Sequence, residues 1–163
     1  MDYNYKNRNE VPEKYRWDLT KYFKSDEDWY LEYEDLKKHI NDLNCYKGKL
    51  FEADNLYDAL DKFYTYNNRI EILYVYASLK QDEDLSVDKY GKMYSEICIL
   101  DSEFNSNISF LMPEILHSKY FNINELIKKS PKLERFKHVL EEIELDRKYV
   151  KDEKTEELIT NLN

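Results

Sequence analysis

Glycine occurs only twice, at Gly48 and Gly91, and proline only three times, at Pro12, Pro113 and Pro131. An all-β domain of 163 residues would turn back on itself many times, and such turns draw on those two residues. Their scarcity excludes that class and favours long, uninterrupted helices. Cysteine is equally rare. Cys45 and Cys98 stand far apart with no partner motif, and read as two reduced, buried thiols of a cytoplasmic protein rather than as a disulfide. No stretch approaches the roughly 20 consecutive apolar residues of a membrane span, and the opening MDYNYKNRNE lacks the apolar centre of a secretion signal. A basic surplus is missing too: 25 Lys and Arg against 34 Asp and Glu leave a net charge of −9, with lysines interleaved among acids. Without a basic stripe to meet phosphates, nucleic acid is excluded as a partner.

What remains is a chain that is 42% hydrophobic and 36% charged, enough to bury a core in one globular domain. The expected fold is all-α, an antiparallel bundle of long helices joined by short loops. Residues 1–24 form an extended lead segment in which Trp17, Leu19, Tyr22 and Phe23 are candidates for burial, and residues 25–163 form the helical domain. Ser25 is placed to cap a helix with Asp28 at the reciprocal position, and Asp26, Glu27 and Asp28 suit its positive first turn. Trp29, Tyr33, Leu36, Ile40 and Leu43 then step by 4, 3, 4 and 3 along one stripe that predicts a helix ending near Gly48. A second helix starts near Asp54 or Asn55, with Ala59, Phe63, Tyr66, Ile70, Leu73 and Ala77 inward and KQDED as its frayed end and loop. Ser86 is expected to cap a third, striped by Met93, Ile97, Leu100, Phe104, Ile108 and Leu111 and stopped by Pro113, which also opens the short segment PEILHSKYF. NINELIKK, a helix entered through Ser130-Pro131, and KTEELITNL complete the chain.

Chemistry is sparse at this level. A zinc peptidase of the H-E-x-x-H type needs two histidines one helical turn apart, and His39, His117 and His138 are nowhere so spaced. The nearest look-alike, HVLEE at 138–142, carries Glu142 where a second histidine would stand, and predicts a surface His138–Glu pair. Asp82, Glu83 and Asp84 could serve as acid and base in principle, but an acidic run at a helix end is ordinarily a solvated cap. No catalytic or metal residue is therefore assigned. Tyr74 and Tyr76 differ by two positions and point to different sides of their helix, so LYVYASL is apolar over more than one face. Such a helix is either central or covered from outside the chain.

NEVPEKYRWDLTKYF near the start and LYVYASLKQDED at 73–84, with KGKL at 47–50 between them and SFLMPEIL at 109–116 after, resemble in that order the N-terminal region of oligoendopeptidase F, a thimet-like zinc metallopeptidase family. The resemblance covers essentially the whole chain. It implies a cytoplasmic peptidase that cleaves short peptides, a zinc site on an H-E-x-x-H helix beyond Asn163, and N-terminal helices forming part of the wall or lid of a peptide channel. On that implication the present chain carries no zinc and is inactive alone, its partner is the missing catalytic domain, and Tyr74, Tyr76, Asp82 and Asp84 are candidates for contact with that domain. The competing expectation is a freestanding helical interaction module whose surplus apolar face binds a partner or a second copy.

Overall fold

The computed structural model describes residue 5, residues 10–119 and residues 121–147; the predicted segment KTEELITNL lies outside these. The described residues form helices and turns with no strand, so the fold is all-α. The helices are α1 (Asp26–His39), α2 (Ala53–Glu83), α3 (Asp88–Asn107), α4 (Leu111–His117), α5 (Ile123–Lys129) and α6 (Lys137–Arg147). They fall into two compact units, one made of the chain up to Asp42 with Tyr64–Asn107, the other of Leu43–Phe63 with the chain from Ile108 onward.

The first unit is built on the stripes read from the sequence. Ser25 is extended at φ −148° and its hydroxyl accepts the Asp28 N–H at 3.2 Å, so α1 starts where its cap dictates. Trp29, Tyr33, Leu36 and Ile40 are buried along it, as are Tyr66, Ile70, Leu73, Tyr76 and Ala77 on α2 and Met93, Ile97, Leu100 and Phe104 on α3. Side-chain bonds fix the direction of packing. Asp26 meets Tyr76, Trp29 meets Leu73, Glu32 meets Arg69 and Asp42 meets Tyr66, so numbering rises on one helix as it falls on the other. Tyr74 with Tyr94 and Tyr66 with Phe104 repeat that opposition between α2 and α3. The three helices are antiparallel neighbours. Trp29 anchors them: fully buried, it stacks on Tyr33 with centroids 5.3 Å apart and donates Nε1–H to the Leu73 carbonyl at 2.8 Å, which satisfies its one polar atom.

In the second unit Leu50, Leu56, Leu60, Leu111, Ile115, Leu126, Leu133, Leu140 and Ile143 close one apolar core. Asn122 caps α5 through the Glu125 N–H at 3.1 Å. Pro131 opens a 3-10 turn, Pro131–Phe136, that leads into α6, although the Ser130 hydroxyl makes no cap bond.

Four boundaries differ from expectation. α1 stops at His39, and the chain tightens into a 3-10 turn, Asp42–Tyr46, that still turns Leu43 inward; Gly48 follows at φ +79°. α2 continues through Glu83, so KQDE is helical. The Ser86 hydroxyl donates to the Asp84 carboxylate instead of accepting from α3, which begins at Asp88. α3 ends at Asn107, ahead of Pro113, which sits in the first turn of α4 where its missing N–H has no helical partner to lose. Burial brings four further corrections: Cys45 is exposed and Cys98 only half-buried, and Trp17 and Tyr22 are exposed where burial was expected.

Candidate functional site

LYVYASLKQDED lies along the last turns of α2 and just beyond. Tyr76 is 2% exposed, whereas Tyr74, two positions back, is 38% exposed and faces Tyr94 with the two hydroxyls 3.0 Å apart. Burial and the Asp26 carboxylate it donates to, at 2.8 Å, push the Tyr76 hydroxyl pKa upward. Asp26 is the centre of a small polar knot. Lys89 donates to it from α3 at 2.7 Å and Lys80 stands 4.0 Å away on α2. Burial pulls the Asp26 carboxyl upward, but the hydrogen bonds from Lys89 and Tyr76 outweigh it and hold the group below its ordinary value. One carboxylate thereby ties the starts of α1 and α3 to the end of α2. Tyr66 is held in the same way by Asp42 at 2.9 Å, burial and that carboxylate pushing it up to about 12. Of the acidic run, Asp82 is exposed, and Asp84 is engaged by the backbone N–H and hydroxyl of Ser86.

The second unit carries a concavity of about 500 Å³ lined by Lys47, Gly48, Phe51, Glu114, His117 and Lys119. Its carboxylate is committed to structure: Glu114 accepts the backbone N–H groups of Gly48 and Leu50, at 2.8 Å each. Arg147 closes the far end of α4 by donating to the carbonyls of Ile115 and Ser118 at 2.7 Å, its guanidinium 4.9 Å from the Phe121 ring. These groups shape a surface; no nucleophile and base stand in line on it.

The histidines are dispersed. His39 pairs with Asp42 at 3.3 Å, and His138 makes the surface pair predicted for it, with Glu142 at 3.5 Å. Among the described residues no three His, Cys, Asp or Glu side chains gather closely enough to hold a metal ion, and no helix is long and apolar enough to cross a membrane.

Similarity to known proteins is extensive. Oligopeptidase PepF of Bacillus subtilis is 34% identical over 153 residues, which is 93% of this chain and 23% of that protein. Group B oligopeptidase PepB of Streptococcus agalactiae is 31% identical over 154 residues, 94% of this chain and 26% of its own length. A plasmid-encoded oligoendopeptidase F of Lactococcus lactis is also 31% identical, over 156 residues. The chain belongs to the oligoendopeptidase F family. It spans about a quarter of the length of the curated relatives it matches. No protein-family model matches it and no solved structure does.

Within this oligoendopeptidase F region, two carboxylates that join distant segments are ones that pattern reading passed over. Asp26 was legible only as a first-turn acid, and Glu114 only as part of SFLMPEIL. Their bonds reach residues 50 and 63 to 66 positions away, a separation at which spacing carries no signal.

Proposed function

We propose that this chain is the non-catalytic, N-terminal helical region of a cytoplasmic oligoendopeptidase that uses zinc to hydrolyse short peptides, and that its helices form part of the wall or lid of the channel admitting them. The supporting observation is one of proportion: the relatives align along nearly all of this chain while most of their own length lies elsewhere. The zinc ligands and general base would belong to that remainder, and they would supply the polarised water. The chain's own residues contribute stiffness. The Asp26 knot, Trp29 bonded to Leu73, and Arg69 bridging Glu32 and Asp35 fix α1, α2 and α3 side by side. A wall so fastened can limit which peptides enter without touching the scissile bond. Of the four residues suggested for contact with the zinc-bearing part, Tyr74 and Asp82 are the exposed ones and would reach it, while Tyr76 would support the helix from within.

The test compares the 163-residue chain with the product of the complete reading frame that contains it, on fluorogenic oligopeptides. Cleavage by the complete product alone, abolished by a zinc chelator, is the expected result. Chelator-sensitive cleavage by the 163-residue chain itself would overturn the proposal.

A further inference from the structure

The large apolar side chains in the eleven residues before α1 divide sharply by exposure. Leu19 is buried and Phe23 packs edge-on against Tyr76 with centroids 5.3 Å apart, but Tyr15, Trp17 and Tyr22 are 54%, 51% and 45% exposed. The segment does not dangle. A 3-10 turn at Glu13–Tyr15 is closed by Tyr15 N–H to Pro12 O at 2.9 Å, and Arg16 Nε–H donates to the Val11 carbonyl at 2.8 Å. A second, Leu19–Lys21, is capped by Asp18, which accepts the Thr20 N–H at 3.2 Å. The backbone is therefore set while its rings face outward, and beside Trp17 lies a concavity of about 530 Å³ lined also by Glu13, Arg16 and Asp18. Arg16 and Trp17 line that recess and Tyr15 and Tyr22 stand exposed on the same hydrogen-bonded segment, and tryptophan, tyrosine and arginine are the residue types that dominate the energetics of protein–protein interfaces. Trp29, the chain's other tryptophan, is by contrast completely buried, so exposure of this residue type is not general to the fold.

We infer that Tyr15, Trp17 and Tyr22 form the docking surface on which the remaining, zinc-bearing polypeptide of the oligoendopeptidase seats, with Trp17 as its central anchor. The inference rests on the reading above and names its contact surface. The occupant follows from length: some three-quarters of each relative lies outside the region matched here, and Tyr15, Trp17 and Tyr22 are three of the four most exposed aromatics among the described residues.

Acrylamide quenching of Trp17 tests this directly, in the 163-residue chain and in the complete reading-frame product, each measured against its Trp17→Phe counterpart so that other tryptophans subtract out. Trp17 should quench freely in the chain and at least about threefold less in the complete product. In parallel, Trp17→Ser should lower the unfolding midpoint of the complete product but leave that of the chain unchanged. Equal quenching in both proteins would overturn the inference. So would protection in the chain alone that grows with its concentration, since the occupant would then be a second copy. A complete product without chelator-sensitive cleavage would remove the peptidase reading, and the quenching comparison would still decide the surface.

Discussion

At the scale of single residues, the two tyrosines of LYVYASL separate core from surface. Tyr76→Phe removes a hydrogen bond from a buried hydroxyl to a carboxylate and should cost about 1–2 kcal/mol. Tyr74→Phe gives up only an exposed contact with Tyr94 and should stay within about 0.5 kcal/mol. Urea denaturation of both variants checks the pair, and equal effects would contradict the placement of α2. Asp26 gives this contact a pH dependence. Its carboxyl is held below the ordinary 3.8 in the folded chain, so as the pH falls the unfolded chain takes up a proton first. Its stabilisation is whole above that ordinary value and declines in more acid solution as the folded group itself protonates. Asp26→Asn should therefore lower stability at neutral pH and flatten the acid limb of the stability curve, measured as unfolding midpoint against pH.

At the scale of elements, the two glycines should respond to alanine with opposite signs. Gly48 turns at φ +79° with open space around it, so Gly48→Ala meets backbone strain and should cost about 1 kcal/mol. Gly91 lies inside α3, where an added Cβ would stand 3.6 Å from the Gln81 side chain, an ordinary contact. Gly91→Ala should gain about 0.5–1 kcal/mol by reducing the freedom of the unfolded chain. Thermal melts of both decide the matter. Glu114→Ala should cost about 1–2 kcal/mol, because two backbone N–H groups of the Gly48 turn lose their acceptor. Legibility also varies by element. The α1 cap and the stripes through Trp29, Ile70 and Ile97 were read correctly because caps and apolar periods are local. The ends of α1 and α3 were not: Ile40 and Leu43 keep the stripe's spacing through a 3-10 turn, and Ile108 and Leu111 keep it across the break before α4, so periodicity runs past the true termini.

At the scale of the whole molecule, the chain is an all-α member of a peptidase family and holds no cluster of metal-binding side chains among its described residues. A chelator should leave the unfolding midpoint of the 163-residue chain unchanged within about 1 °C, whereas a protein folded around zinc would lose stability; differential scanning calorimetry reads the difference. Helix content, the main stripes and the family were written in local order: in scarce glycine and proline, in 3.6-residue periods, and in motifs whose sequence survives without any fold. Which carboxylates hold the molecule together was not. Asp26, Asp42 and Glu114 look like any surface acid until folding brings partners from distant parts of the chain, and Trp17 and Tyr22 look like core until packing turns them outward. Propensity and period act over a few residues, whereas burial and ion pairing are settled only when whole helices choose their neighbours.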